Sequence, residues 1–240
     1  MTTHQIDSNT IKAFKNDFNG RVILPDSADY ESARQVWNGM IDKRPEVIAR
    51  CKNAMDVINA IRFARDNDLP LSIRGGGHNV AGYAVCDGGL VVDMANMNRV
   101  VVNPESRTVI VEAGALWRDV DPATQAYGLA TPGGEVSLTG VAGLTLGGGV
   151  GYLRRKYGLS CDNLLSVDLV TADGQVVKAN AKQNEELFWA LRGGGGNFGV
   201  VTAFEFRLHP VGPRVATVNP IYPISETRNV LDAWRDFTAA

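Results

Sequence analysis

Glycine is concentrated in four short clusters of this chain, and each cluster separates segments with clear secondary-structure patterns. More than half of the 26 glycines fall in Gly75–Gly77, Gly133–Gly134, Gly147–Gly151 and Gly193–Gly199. Dispersed glycine is typical of a linker. Clustered glycine instead lets backbone pass close to another group, because no Cβ blocks the approach. Any one cluster is explained by a tight turn, but four in 240 residues indicate a chain that folds around something large.

The first half of the chain contains the pattern of a β-α-β unit. Residues 46–50 and 71–74 read as short strands. Between them, residues 53–67 repeat apolar side chains at helical spacing after Asn53, a residue typical of helix starts. Two strands joined in this way by a helix are expected to be parallel.

From Gly89 onward, short strand patterns predominate. They cover residues 90–93, 99–102, 108–112, 167–171, 175–179 and 201–208, with helices predicted over residues 116–127 and 184–191. Asp173-Gly174 lies between two of these strands and is a strong hairpin signal. The sequence therefore predicts an α+β fold, in which the small β-α-β unit is followed by a larger, mainly antiparallel sheet with flanking helices.

Four further predictions concern apolar segments. A helix over residues 29–40 would place on one face Ala33, Val36, Trp37 and Met40. A last helix is predicted over residues 226–237, and residues 215–218 read as a strand. Phe188 and Trp189 are both expected in the core.

Composition and charge exclude several classes of protein. The formal net charge is -2 and the charges of both signs are interspersed, so a nucleic-acid partner is not expected. The first residues are polar and contain no long apolar run, which predicts neither a signal peptide nor a membrane anchor and favours the cytoplasm. The three cysteines and three histidines lack metal-site spacing, so no metal is expected.

The glycine run near residue 194 formally matches a dinucleotide-binding fingerprint, Gly194-x-Gly196-x-x-Gly199. That fingerprint requires a strand before the glycines and a helix after them. Here a predicted helix precedes and a predicted strand follows, so the sequence argues against a Rossmann fold. The phosphate-binding P-loop pattern is absent from the sequence.

His78 follows the first glycine cluster directly, in Arg74-Gly-Gly-Gly-His78-Asn79. A histidine in a surface loop often has no special role. A neutral imidazole is nevertheless a competent nucleophile near neutral pH. Held by a glycine loop beside the 8-methyl carbon of a flavin, it could form a covalent bond to the cofactor and raise its reduction potential.

Several motifs together resemble one family of flavoproteins. They are Ile73-Arg-Gly-Gly-Gly-His-Asn79 with Gly82-Tyr83, Gly88-Gly-Leu-Val-Val-Asp93, Pro132-Gly-Gly134, Gly147-Gly-Gly-Val-Gly151, Tyr157-Gly-Leu-Ser-Cys-Asp-Asn163 and Leu187-Phe-Trp-Ala-Leu-Arg-Gly-Gly-Gly-Gly-Asn-Phe-Gly199. Their order and spacing resemble the FAD-binding part of the vanillyl-alcohol oxidase and p-cresol methylhydroxylase superfamily. The closer similarity is to its berberine-bridge-enzyme and 6-hydroxynicotine-oxidase branch.

The resemblance implies a two-subdomain FAD-binding domain of an oxidoreductase, with FAD as cofactor and His78 as its covalent attachment point. The other residues that it places along FAD are Arg74, Gly75, Gly76, Gly77, Asn79, Gly82, Pro132, Gly133, Gly134, Gly143, Asp162, Asn163 and Val201. It further implies a small-molecule substrate that loses a hydride from an activated C–H, with molecular oxygen or another acceptor reoxidising the flavin.

The chain departs from the family in two respects. Some members attach flavin through a cysteine as well, at the place where this chain has Val136, so a single histidine link is expected; Cys161 is expected to be buried. Members are also considerably longer, which puts the catalytic residues beyond Ala240. The expected organisation is an N-terminal helical segment (1–42), an FAD-binding domain (43–212, subdomains 43–97 and 98–212) and an incomplete start of a substrate domain (213–240).

A second function remains open at this stage. The chain could be a flavin-binding fragment or subunit that is inactive alone and needs a partner chain or oligomer to complete its site.

Overall fold

The computed structural model describes residues 6–239, so residues 1–5 of the predicted N-terminal segment and residue 240 lie outside the described part. A four-stranded sheet is built from β1 (Arg21–Ile23), β2 (Val47–Arg50), β3 (Leu71–Arg74) and β4 (Leu90–Asp93). Their order is β1-β2-β4-β3, with β4 parallel to both β2 and β3. Because β4 is central, all four of its residues are buried, which explains the apolar run that precedes Asp93.

Helices flank this first sheet. They are α1 (Ser8–Asn16), α2 (Tyr30–Arg34) and α3 (Ala54–Asp66). The α3 helix begins as predicted, because the side chain of Asn53 accepts a hydrogen bond from the backbone N–H of Asp56. Its apolar face is buried in the core. The predicted β-α-β unit is therefore confirmed, with β4 inserted between its two strands.

The second sheet has five strands and is antiparallel throughout. The remaining strands are β5 (Val100–Asn103), β6 (Thr108–Glu112), β7 (Leu129–Ala130), β8 (Leu164–Val170), β9 (Val176–Asn180), β10 (Val200–Arg207) and β11 (His209–Pro210). The sheet order is β5-β6-β10-β8-β9, while β7 and β11 form a separate pair. The β8–β9 hairpin predicted from Asp173-Gly174 is confirmed, with Gly174 at φ +82°.

The other helices connect or flank these strands. They are α4 (Trp117–Gln125), α5 (Val141–Leu146), α6 (Arg154–Tyr157), α7 (Glu185–Ala190) and α8 (Thr227–Ala239), with short 3-10 helices at Cys161–Asn163 and Ile224–Glu226. The α5 helix interrupts the long glycine-rich stretch and was not predicted. One core cluster joins residues of both sheets, from Val47 of β2 to Phe206 of β10. The α+β fold class is confirmed.

The predicted helix over residues 29–40 is wrong beyond Arg34. Gln35 is already extended, at φ -64° and ψ 142°. The backbone carbonyls of Ala33 and Gln35 accept from Arg74, and the N–H of Trp37 donates to Gly77. Backbone groups that a longer helix would pair internally are thus bound by Arg74 and by the glycine cluster that follows it.

Two other predictions fail for simple geometric reasons. Residues 215–218 form no strand and are exposed, because no described strand lies beside them to pair with. Phe188 is buried but Trp189 is 71% exposed. Consecutive residues of a helix point about 100° apart, so a short surface helix such as α7 cannot bury both.

Candidate functional site

A cavity of about 700 Å3 lies where the two sheets meet. Three glycine-containing segments from distant parts of the chain line it, at residues 75–77, 140–147 and 195–199. Leu71–Ile73 of β3 and Val201 of β10 complete opposite parts of its wall. The volume lies within the range of about 300–1,000 Å3 that is usual for cofactor and small-molecule sites.

Two of the lining loops touch backbone to backbone. A Cβ atom added to Gly76 would lie 2.4 Å from the backbone nitrogen of Gly140, and one added to Gly140 would lie 2.4 Å from that of Gly76. No side chain fits at either position without moving a backbone. The glycines therefore bring the loop after β3 against the start of α5 and form one wall from two distant segments of the chain.

His78 lines the cavity at the end of the first glycine cluster and is half-buried. Its imidazole stacks on the indole of Trp37, with 5.5 Å between ring centroids and 21° between ring planes. The next residue, Asn79, uses its side-chain oxygen to accept the N–H of Tyr83 at 3.1 Å, which closes the loop. Sequence analysis missed Trp37, because helical spacing assigned its side chain to a packing face.

A buried ion network fixes the point from which this loop starts. Asp93 is fully buried at the end of β4, where the register sets Arg50 on one side and Arg74 on the other. Its Oδ2 accepts from Arg50 Nε at 2.7 Å and Arg74 Nη2 at 2.8 Å. Burial raises the pKa of the Asp93 carboxyl, but the two guanidinium groups outweigh burial and hold the pKa below its usual value.

Arg74 consequently points away from the larger cavity. Its side chain lines a second, smaller cavity of about 360 Å3 on the other side of Gly75–Gly77, together with Arg50 and Asp93. The sequence placed Arg74 along the cofactor, but its contacts in the structure anchor the start of the loop.

The structure places half of the predicted cofactor residues in the wall of the larger cavity. These are Gly75, Gly76, Gly77, His78, Asn79, Gly143 and Val201. The wall also contains residues that the sequence did not place along the cofactor, among them Thr139, Gly140, Gly195, Gly196, Asn197 and Gly199. The last four belong to a glycine cluster already noted in the sequence. The α7 helix precedes that cluster and β10 follows it, which confirms that it is not a Rossmann loop.

The other predicted residues lie outside the cavity lining and stabilise the neighbouring loops by packing or hydrogen bonds. Gly82 packs on Ile41, and Gly133 packs on the buried ring of Trp117. Asp162 accepts the N–H of Leu159 at 2.8 Å. Pro132 and Gly134 adjoin Gly133, and neither lines the larger cavity.

Asn163 links two segments of the chain by side-chain hydrogen bonds. Its Nδ2 donates to the carbonyls of Tyr157 and Leu159, each at 2.8 Å, and its Oδ1 lies 2.6 Å from Nε2 of His209. The His209 ring stacks on Tyr157 at 4.0 Å between centroids. Burial lowers the pKa of His209, and Arg207 lowers it further. These contacts hold the 3-10 helix against β11.

Gly143, in the cavity wall, has no packing reason to be glycine. Gly143 lies inside α5, where alanine is the better helix former. A Cβ atom added to it would meet no described heavy atom within 4 Å outside its own helix and neighbours, yet the residue lines the cavity. The open space is on the cavity side, which fits a ligand that approaches the α5 backbone closely.

Gly143→Ala is expected to have opposite effects on the empty protein and on FAD binding. Removing a glycine from a helix should raise the free energy of unfolding by about 0.5–1 kcal/mol. The added methyl group should weaken FAD binding by about 1–3 kcal/mol, the usual cost of overpacking. Thermal denaturation and FAD titration measure the two effects.

Gly39→Ala is the matched control, because its Cβ also meets open space but lies outside the cavity. It should leave FAD affinity unchanged. An unaltered FAD affinity in Gly143→Ala would contradict a cofactor site at this wall.

Within residues 6–239, three or more acidic, histidine or cysteine side chains nowhere converge as a metal site would require. No helix in the same range combines the length and apolar composition needed to cross a bilayer.

Residues 45–180 match the FAD binding domain family, and they make up more than half of the chain. The chain belongs to that family. Its cofactor is FAD, and the resemblance predicted from the motifs is confirmed.

Individual relatives agree with this assignment. The chain is 43% identical over 190 residues to (R)-6-hydroxynicotine oxidase of Paenarthrobacter nicotinovorans, covering 79% of this chain and 42% of that protein. It is 34% identical over 228 residues to an uncharacterized FAD-linked oxidoreductase of Bacillus subtilis, covering 93% and 50%. The solved structure of wild-type BBE-like 1 of Physcomitrella patens superimposes with a TM-score of 0.80 at 34% identity, covering 83% and 44%. The chain thus spans about half the length of the relatives that it matches.

Proposed function

We propose that this chain binds FAD in the larger cavity, that His78 holds the flavin by a covalent bond, and that the whole protein is an oxidoreductase of small organic molecules. The observation that carries the proposal is the convergence of His78 and three glycine-containing segments on one cavity of about 700 Å3. A cofactor with a pyrophosphate and two ring systems needs bare backbone at several places along its length. The unfilled space beside Gly143 supports the fit.

The predicted cofactor residues have two different roles. Direct contact with FAD falls to the seven that line the cavity, namely Gly75, Gly76, Gly77, His78, Asn79, Gly143 and Val201. The other seven shape and hold the loops, namely Arg74, Gly82, Pro132, Gly133, Gly134, Asp162 and Asn163. The FAD-binding domain would span residues 43–212, with subdomains 43–97 and 98–212. The segment before it contributes β1 to the first sheet.

Bound in this cavity, FAD would supply the redox chemistry: a hydride from an activated C–H beside an amine or hydroxyl would pass to the flavin, and molecular oxygen or another acceptor would reoxidise it. The role of this chain is to bind the cofactor, to enclose its site and to place His78 beside the flavin. We propose that the groups that choose the substrate belong to the portion of the relatives that this chain does not cover, and residues from 213 onward would begin that region.

The cysteines favour a single attachment point. Burial raises the pKa of the Cys161 thiol, and nearby Asp162 adds to the increase. Burial also raises the pKa of Cys51 and Cys86. A thiol with a raised pKa supplies little thiolate, which is the nucleophilic form. His78 is therefore the nucleophile that we assign to the cofactor.

A second candidate is a flavin-binding module that works only with another chain. The observation that favours it is the exposed apolar face of α8, where Trp234 is 65% and Phe237 79% exposed. Large exposed aromatic side chains on one helix are typical of a surface that another element covers.

The intact mass and visible spectrum of the denatured protein test the main proposal. We expect a mass increased by one FAD and a yellow colour that remains with the protein. If the native protein takes up FAD but the denatured protein is colourless and has its bare mass, the covalent bond is excluded and the cofactor site is retained. A native protein that takes up no FAD would overturn the proposal. Turnover only after a second chain is added would favour the module.

A further inference from the structure

Residues 33–44, which we call the strap, run beside the loop of residues 74–88 that carries His78. Contacts repeat along its whole length. At its start, the carbonyls of Ala33 and Gln35 accept from Arg74 Nη1. In its middle, the backbone N–H of Trp37 donates to Gly77 O (3.0 Å) and Asn38 Nδ2 donates to Val80 O (2.8 Å). At its end, Lys43 Nζ donates to Gly82 O (3.1 Å) and Val85 O (3.3 Å), and the backbone N–H of Arg44 donates to Asp87 Oδ1 (2.8 Å). The strap thus holds the loop at six of its residues from outside the cavity.

Almost all of these contacts are made to backbone carbonyl groups, and this matters for a glycine-rich loop. Glycine has many accessible conformations, so Gly75–Gly77 cannot by itself hold His78 in one orientation. The strap supplies the missing restraint. It also precedes residue 45, where the match to the FAD binding domain family begins.

Trp37 is the strap residue that touches His78. Its indole is 63% exposed, so burial in a core does not explain its position. The backbone N–H of Trp37 donates to the carbonyl of Gly77, and the indole itself stacks on the imidazole at 5.5 Å and 21°. The indole therefore lies, offset, against one ring face of His78 and limits rotation of the imidazole about its side-chain bonds.

We propose that Trp37 is a positioning residue for covalent flavin attachment: by stacking on His78 it holds the imidazole in the orientation that attacks the flavin. The inference rests on the proposed function and adds a residue to it. The strap holds Trp37, Trp37 holds the ring, and the ring presents its nitrogen to the cofactor.

Covalent attachment removes two hydrogens and forms one C–N bond. A ring nitrogen of His78 loses its proton and forms a C–N bond to the 8-methyl carbon of FAD, which loses one hydrogen. The two electrons released pass through the isoalloxazine to molecular oxygen, which takes up both hydrogens and becomes hydrogen peroxide. The orientation of the imidazole affects only the formation of the C–N bond, so Trp37 should alter attachment and leave non-covalent FAD binding nearly unchanged.

The test uses protein prepared without flavin and then mixed with FAD in air. Mass spectrometry follows the covalent fraction with time, and FAD titration in the absence of oxygen gives the non-covalent affinity. In Trp37→Ala we expect covalent attachment at least about tenfold slower, because a misplacement of about 1 Å can cost about 100-fold in rate. The FAD affinity should stay within about threefold, which is under 1 kcal/mol. Trp37→Phe, which keeps an aromatic face, should recover most of the rate.

Trp189→Ala is the matched control, because this tryptophan is also exposed but belongs to α7 and makes no stacking contact with His78. It should attach FAD at the wild-type rate. Attachment at the wild-type rate in Trp37→Ala would overturn the inference while leaving the proposed function intact. A defect that Trp37→Phe does not relieve, or that Trp189→Ala shares, would also overturn it. If the wild-type protein binds FAD without a bond, the proposed attachment fails and the role of Trp37 fails with it.

A measurement without FAD tests the contact itself. The chain has only three histidines, so their ring protons are readily assigned by NMR with a His78→Gln variant. The stacked indole should shift the His78 ring protons upfield, and Trp37→Ala should remove that shift while leaving His209 unchanged. Identical His78 shifts in the two proteins would show that the rings do not stack and would overturn the inference independently of flavin chemistry.

Discussion

His78→Ala is expected to abolish covalent flavin completely. The denatured variant should have its bare mass and no visible absorption, because the described cavity wall contains no second imidazole and no thiol. The native variant should still take up FAD, since the glycine loops and Gly143 remain in place. Mass spectrometry before and after denaturation separates the two forms of the cofactor.

The control for this variant removes a different imidazole. His209 stacks on Tyr157 and contacts Asn163, and it is not part of the cavity wall. His209→Gln retains a side-chain donor for Asn163 and should keep the covalent flavin. Flavin that stays on His78→Ala after denaturation would mean that another residue forms the bond, and the assignment of His78 would be withdrawn.

Asp93→Ala should be the most destabilising single substitution of the site. Asp93 is fully buried and accepts from Arg50 and Arg74, so its removal leaves two guanidinium groups facing each other without their counter-charge. Breaking a buried ion pair on one side costs about 3–5 kcal/mol. Urea denaturation followed by circular dichroism should show a loss of that size. FAD binding should weaken as well, because Arg74 anchors the glycine loop.

Asp168→Ala provides the comparison, because Asp168 also pairs across strands but is about half exposed and lies 3.7 Å from Lys178. Exposed pairs contribute about 0–1 kcal/mol. Adding Arg74→Met to Asp93→Ala should recover part of the lost stability, since one uncompensated charge is removed. A loss in Asp93→Ala no larger than that in Asp168→Ala would contradict the role of the network.

The same carboxylate sets part of the acid sensitivity of the fold. Its pKa in the folded protein is held below the usual value by Arg74 and Arg50, despite burial. The stabilisation is therefore fully present above the ordinary aspartate pKa of about 3.9 and is lost as the pH falls through the lower folded value. Below about pH 4 the unfolding free energy should fall less steeply in Asp93→Ala than in the wild-type protein.

Local patterns predicted the elements that depend on local interactions. The α3 helix starts at a capping asparagine and the β8–β9 hairpin turns at Asp173-Gly174, and both are stabilised by contacts within a few residues. The predictions failed where a distant partner decides the outcome. The helix over residues 29–40 stops at Arg34 because the strap pairs with the loop of residues 74–88 instead.

The sequence by itself determined the fold class, the family and its FAD cofactor, because these follow from the order and spacing of motifs along the chain. It also singled out His78 as the candidate for attachment. Only the tertiary structure decided which predicted residues line one cavity, that Gly76 and Gly140 touch, that Asp93 is shared by two arginines, and that Trp37 lies on His78. Most of these contacts join residues about 40 or more positions apart. A local pattern does not encode which distant surfaces meet, because that is decided only when the two sheets pack together.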